Sequence, residues 1–200
     1  MRYDVRLPEG LDHADNGLFR EFKSKYIKNR SRKGFKPQYV AVREQSKEKH
    51  QHYHVALWLD GQKTQNIHDH IATAERLWNK TLGLPDKVNG YGLIDDCTKS
   101  RSGAKQINGV MLRRDDPAYE TKKDDCFRRA SYLAKVNTKG NTPKGQRAGI
   151  DRRLNGTCTT FRRIAFCAEV KNIPSHKKSP VFLQEVIVLN FVKNIYNYQC

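Results

Sequence analysis

The spacing of apolar residues predicts a helix and then a β-hairpin in the first third of the chain. Residues 16–30 carry apolar side chains at helical intervals behind Asn16, a residue type that caps helix starts. Residues 37–44 and 52–61 alternate or run apolar as strands do. The polar residues 45–51 between them predict the loop of a hairpin.

The middle of the chain predicts a second helix and a second hairpin. Residues 65–82 place apolar side chains at steps of three or four, as in a helix packed on a sheet. His68 and His70 fall in this helix, where residues two apart do not share a face, so we interpret both as structural. Residues 91–95 and 107–113 are short strand candidates separated by a polar, basic loop.

A third helix is predicted to start at residues 115–117, Asp-Asp-Pro, and to continue through Asn137. Its buried stripe would contain Cys126, Ala130 and Leu133, with Phe127 and Ala134 beside it. Residues 138–156 are rich in Gly, Lys and Arg, which predicts a flexible basic loop. The apolar run 181–198 fits either a strand followed by a helix or a single helix.

This order of elements predicts an α+β fold with a central antiparallel sheet and helices packed on it. A chain of 200 residues can bury one substantial core and carry an extension, but it is short for two ordinary domains. We therefore expect one domain over residues 1–158 and a C-terminal extension of unknown role over 159–200.

Charge points to a nucleic-acid partner. The formal net charge is +17, and the stretch 20–36 holds eight Lys or Arg and one acid. No basic segment carries a sustained apolar face and no apolar run is long enough to span a bilayer, so we expect no membrane partner. The N-terminus has no signal-type apolar region, and we expect a cytoplasmic protein. The five cysteines contain no CxxC pair, which disfavours a disulfide framework or a zinc knuckle.

Three histidines alternate at the start of the second strand, so that His50, His52 and His54 share one side of it. With the hairpin loop centred near Glu48, Glu44 falls roughly opposite His52. Two imidazoles and a carboxylate would then converge on a catalytic divalent cation, Mg²⁺ or Mn²⁺ beside zinc. His50 is the weakest member because it lies nearest the loop. The alternative is that these histidines are ordinary surface or hydrogen-bonded residues.

A tyrosine on the third predicted helix is a candidate nucleophile. Tyr132 and Lys135 are three residues apart and share a helix face, which Arg128 and Arg129 extend. Nearby positive charge eases deprotonation of a phenol, whose ordinary pKa is about 10. The alternative is that Tyr132 packs at the edge of the core while Lys135 is solvated.

The two motifs in this order resemble the HUH endonucleases. The segment His52-Tyr53-His54, followed on a later helix by Tyr132-Leu133-Ala134-Lys135, is similar to the pattern of rolling-circle replication initiators, relaxases and single-tyrosine transposases. The resemblance covers about residues 35–158 and looks closest to the filamentous-phage (inovirus) replication proteins found in bacterial prophages. It implies an HUH nuclease fold, related to that of RNA-recognition-motif domains.

The resemblance also implies a mechanism. His52 and His54 would hold Mg²⁺ or Mn²⁺ with Glu44 as third ligand, Tyr132 would attack a phosphate, and Lys135 would stabilise charge on it. The chain would nick single-stranded DNA at an origin or hairpin, leave a 3′-hydroxyl and a 5′-phosphotyrosine, and later rejoin the strand. In this way it would initiate rolling-circle replication of a phage, prophage or plasmid.

Further basic residues are expected to contact the DNA: Arg128, Arg129, Lys99, Arg101, Lys105 and Lys139. Val136 stands where a second tyrosine would be, which implies a single-tyrosine site. No P-loop signature is present, so unwinding would need a partner such as a host helicase. The oligomeric state stays open.

Three alternatives compete with this function. A single-tyrosine transposase or a relaxase would use the same chemistry. A phosphoesterase with two histidines as acid and base would need a second histidine-bearing strand motif, which the sequence lacks. A noncatalytic module could instead hold single-stranded nucleic acid through basic charge and stacking on Tyr39, Tyr53 and Trp58.

Overall fold

The structure is a computed structural model that describes residues 1–11, 16–44, 51–85, 92–100, 102–131 and 133, and the backbone of 150–153. These residues form an α+β fold, as predicted, with an antiparallel sheet of strand order β4-β1-β3-β2-β5. The elements in chain order are β1 Arg2–Arg6, α1 Gly17–Arg32, β2 Gln38–Glu44, β3 His52–Trp58, α2 Ile67–Thr81, β4 Ile94–Asp95, α3 Tyr119–Ser131 and β5 Ile150–Arg153.

The sheet separates two apolar clusters. Because side chains alternate along a strand, Tyr53, Val55 and Leu57 of β3 face the larger cluster, which also contains apolar side chains of α1 and α2. Ala56 lies in the smaller cluster with Val40 and Val42 of β2 and with Ala130 and Leu133. Apolar residues of α3 therefore lie on the face of the sheet opposite α1 and α2, and this is the face that also carries His52 and His54.

The predicted central hairpin is confirmed in register. Glu44 of β2 is paired with His52 of β3, and Val42 is paired with His54. Both strands are almost wholly buried along their middle residues. A one-residue slip would exchange the apolar residues that face the two clusters, so packing on both faces of the sheet fixes the pairing that places Glu44 beside the histidines.

The helices α1 and α2 match their predictions, with one correction at a cap. Asn16 stands before α1 but makes no side-chain capping hydrogen bond. Its Oδ1 instead accepts a hydrogen bond of 2.8 Å from the buried Tyr53 hydroxyl, which needs a polar partner. Asn66 does cap α2, since its side chain accepts from the backbone N–H of His68 at 2.9 Å.

The third helix begins later than predicted, at Tyr119. Asp116 Oδ1 accepts a hydrogen bond of 2.8 Å from the Ala118 backbone N–H, so the residues around Pro117 form a turn before the helix. Beyond Ser131 the predicted helix lies outside the described residues, except for the buried Leu133.

The predicted second hairpin is wrong, because residues 107–113 do not form a strand. The Asn108 side chain explains how this segment is held instead. Its Oδ1 accepts from the backbone N–H of Arg2 at 2.8 Å, and its Nδ2 donates to the backbone carbonyl of Arg2 at 2.6 Å. The amide side chain of Asn108 thus satisfies the backbone N–H and carbonyl of Arg2, which a neighbouring strand would otherwise pair.

Two strands, β1 and β5, were not predicted. β1 forms from the first residues of the chain and pairs with β3, and β4 pairs with β1 rather than with residues 107–113. β5 pairs with β2 inside the stretch 138–156 that was predicted to be a loop. The extension 159–200, including the run 181–198, lies outside the described residues. Among the described helices, none is both long and apolar enough to cross a membrane.

Candidate metal centre

Three potential ligands meet at one end of the central hairpin: Glu44, His52 and His54. His54 Nε2 lies 3.1 Å from Glu44 Oε2, and His52 Nε2 lies 3.6 Å from the same oxygen. The two imidazole rings are nearly perpendicular, with centroids 4.8 Å apart. Direct pairing of Glu44 with His52 and the shared side of His52 and His54 produce this convergence.

Two of the three separations between these ligand atoms are close to those around a bound divalent cation, and all three atoms lie within 4.8 Å of one another. Ligands at about 2.1 Å from an ion are about 3.0 Å apart at right angles and about 3.4 Å apart in a tetrahedron. The observed separations of 3.1 and 3.6 Å fall around these values. Two imidazole nitrogens with one carboxylate oxygen suit Mn²⁺ or zinc and also admit Mg²⁺, and they leave coordination positions for a substrate.

Burial and hydrogen bonding act against each other at His54. Burial favours the neutral ring, but hydrogen bonds to Asp4 and Glu44 outweigh it and raise the pKa of His54 above its ordinary value. Protonation of His54 and binding of a cation at this site would therefore compete with each other.

Sequence reasoning missed a second carboxylate beside His54. Asp4 of β1 is paired with His54 across the strands, and its Oδ1 lies 2.7 Å from His54 Nδ1. Burial alone would raise the pKa of Asp4, but the hydrogen bond to His54 and the positive charges of His54 and Arg2 lower it. The alternation of Tyr3 and Val5 with charged residues was the signal that could have revealed this strand.

A cleft of about 1370 Å³ opens on the same face of the sheet, with His52 and His54 in its lining. It lies between β1, β3, the loop that follows β4, and α3. Six basic and three acidic side chains line it, and the basic ones are Arg2, Arg6, Lys99, Lys105, Arg128 and Arg129. Four of the predicted DNA-contacting residues therefore lie around one cavity.

Two of those residues are ion-paired on α3. Arg128 Nη2 lies 2.5 Å from Asp125 Oδ1, and Arg129 Nε lies 2.8 Å from Asp125 Oδ2. Arg129 also donates a hydrogen bond to the backbone carbonyl of Ile107, which lines the cleft as well. Asp125 offsets part of their charge, while the Arg128 side chain is 83% exposed.

Five of the predicted residues lie outside the described part of the chain: Tyr132, Lys135, Arg101, Lys139 and His50. Ala130 and Leu133, which flank Tyr132 in sequence, are buried against the sheet face that carries the metal centre.

Two other histidines, His68 and His70, and two of the proposed stacking residues lie away from the metal centre. His68 is exposed on α2, whereas His70 is buried between Arg30 and Thr64. Tyr39 and Tyr53 are buried in the larger cluster on the opposite face. The noncatalytic alternative therefore cannot use these two rings to stack on nucleic-acid bases, because they are packed in the core.

Comparison with known proteins identifies the family of the chain. Searches of curated proteins and of solved structures found no match. The sequence model of the YagK/YfjJ C-terminal domain matches residues 1–149, which is most of the chain and includes β1, the metal centre and Tyr132. The chain therefore belongs to the YagK/YfjJ C-terminal domain family.

Proposed function

We propose that this protein is a divalent-metal-dependent endonuclease that nicks and rejoins single-stranded DNA through a covalent phosphotyrosine at Tyr132. The observation that carries the proposal is the convergence of Glu44, His52 and His54 on the sheet face to which α3 packs. The similarity of the two sequence motifs to HUH endonucleases supplies the reaction type.

The residues divide the chemistry between them. Glu44, His52 and His54 would hold Mg²⁺ or Mn²⁺, which would supply polarisation of the scissile phosphate. The Tyr132 phenol loses its proton to solvent, its oxygen bonds to phosphorus, and the bond from phosphorus to the 3′ oxygen breaks. The departing oxygen takes up a proton and becomes a 3′-hydroxyl. Attack of a 3′-hydroxyl on the phosphotyrosine reverses these steps and rejoins the strand.

Two features of the described residues support this arrangement. Ala130 and Leu133 are buried on the metal-bearing face, so the chain on both sides of Tyr132 is anchored there. The cleft beside His52 and His54 is lined by more basic than acidic side chains, as a phosphate backbone requires. Lys99 and Lys105 lie in its wall and would contact phosphates.

The test is formation of a covalent adduct. The full chain is incubated with Mn²⁺ and a labelled pool of random single-stranded oligonucleotides, and products are separated under denaturing conditions. We expect a labelled protein band that Tyr132→Phe and removal of metal both abolish. Tyr119→Phe is the matched control, since it alters the tyrosine at the start of α3 and should leave the band unchanged. An adduct that persists in Tyr132→Phe would refute the assigned nucleophile.

A noncatalytic single-stranded DNA-binding role is the second candidate, and the basic lining of the cleft favours it. It predicts DNA binding without metal and without an adduct in the same experiment. Among catalytic roles, initiation of rolling-circle replication is our first proposal over transposition or conjugative transfer. An origin-like hairpin next to the coding region would support it, and binding of a host helicase would be consistent with it.

A further inference from the structure

We infer that Asp4 is a positioning residue that fixes the tautomer of His54 and so directs its Nε2 lone pair at the metal. This inference rests on the metal centre of the proposed function. Asp4 contacts the His54 ring directly, and it would act on the metal through that ring.

The two ring nitrogens of His54 face different carboxylates. Nδ1 lies 2.7 Å from Asp4 Oδ1 on β1, whereas Nε2 lies 3.1 Å from Glu44 Oε2 on β2. The register of the sheet fixes both contacts. Asp4 is paired with His54 on β1, and Glu44 lies two residues after Val42, the partner of His54 on β2. His54 is thus held between a carboxylate on one side and the metal centre on the other.

An ionised carboxylate can only accept hydrogen bonds, so the contact with Asp4 requires a proton on Nδ1. In the neutral ring, a proton on Nδ1 leaves Nε2 unprotonated and able to bind a cation. A carboxylate behind a metal-binding histidine also keeps the ring in position and increases its basicity. The side chain of Asp4 is only 13% exposed, which limits competition from water.

Arg2 makes an opposing contact with the same nitrogen. Its Nη2 lies 3.1 Å from His54 Nδ1, and because a guanidinium only donates, this contact alone would favour the other tautomer. The Asp4 contact is shorter, and Arg2 also lies 3.4 Å from Asp4 Oδ1. Arg2 therefore serves to balance the charge of Asp4, and Asp4 determines the tautomer.

The first measurement is the affinity of the full chain for Mn²⁺ by isothermal titration calorimetry. In Asp4→Asn the amide NH₂ can donate to Nδ1, which allows the proton to move to Nε2. We expect affinity to fall about 10–100-fold, as is typical when such a partner is lost. Asp95→Asn is the matched control, because Asp95 is paired with Asp4 on β4 but its side chain binds Arg6 at 2.7 Å. Its affinity should equal that of the wild type.

The second measurement needs no variant. Nitrogen-15 NMR of the metal-free wild-type chain at alkaline pH reports which nitrogen of neutral His54 keeps its proton, and we expect Nδ1. A proton on Nε2, or tight Mn²⁺ binding by the wild type that Asp4→Asn leaves unchanged, would overturn the inference while the metal centre stands. If the wild type bound no Mn²⁺, the metal centre itself would be refuted, and this role of Asp4 with it.

Discussion

The His70 side chain on α2 contacts Arg30 of α1, and its burial makes the stability of the fold depend on pH. Its Nδ1 lies 3.0 Å from Arg30 Nη1, and its Nε2 lies 2.8 Å from Thr64 Oγ1. Since a guanidinium only donates, Nδ1 must accept, so the folded protein holds the neutral ring with its proton on Nε2. Burial and the positive charge of Arg30 lower the pKa of His70 from 6.5 to about 4.

The sign and size of the effect follow from proton linkage. Between pH 6.5 and about 4 the unfolded chain binds a proton at His70 that the folded chain does not. Acidification therefore favours unfolding in this window, and the contribution of His70 is complete above it. A difference of two to three pKa units at about 1.4 kcal/mol each gives a loss of about 3 kcal/mol in the free energy of unfolding.

Urea denaturation across this pH window measures the effect. Other groups also titrate there, so the informative quantity is the difference in pH dependence between the wild type and His70→Gln. Gln can accept from Arg30 and donate to Thr64 without titrating, and we expect it to remove about 3 kcal/mol of the acid-induced loss. His68→Gln, two residues away and exposed, should behave as the wild type. Equal pH slopes for the wild type and His70→Gln would refute the reasoning.

Two further perturbations test the core and the cleft. Trp78 is fully buried and its Nε1 donates to the backbone carbonyl of Arg6 at 2.8 Å, so Trp78→Phe should lower the free energy of unfolding by about 1–3 kcal/mol in urea titrations. A change near zero would contradict that hydrogen bond. Lys105→Ala should reduce the salt dependence of single-stranded DNA binding, measured by fluorescence anisotropy, by about 0.7 in log–log slope. Lys80→Ala, on α2 across the sheet, should not change it.

The central hairpin was predictable because the residues that determine it lie close together in the sequence. Strands β2 and β3 are neighbours in sequence, and their alternation and short loop fix which residues face each other. The position of Glu44 opposite His52 therefore follows from the order of residues within one short segment. The same locality makes α1 and α2 predictable from apolar spacing alone.

The parts that sequence reasoning missed depend on contacts between distant residues. Asp4 meets His54 because β1 inserts beside β3, and no local pattern states which strand an N-terminal segment joins. Asn108 replaces a predicted strand by side-chain hydrogen bonds to Arg2, which apolar periodicity does not encode. Asn16 likewise bonds to Tyr53 rather than capping its helix, because a buried hydroxyl required a partner.

The central claim is that Glu44, His52 and His54 hold a divalent cation, and anomalous diffraction from crystals of the chain grown with Mn²⁺ tests it most directly. We expect one strong manganese peak within about 2.5 Å of Nε2 of both histidines and of a Glu44 carboxylate oxygen. A peak bound elsewhere, or none at this site at saturating Mn²⁺, would contradict it.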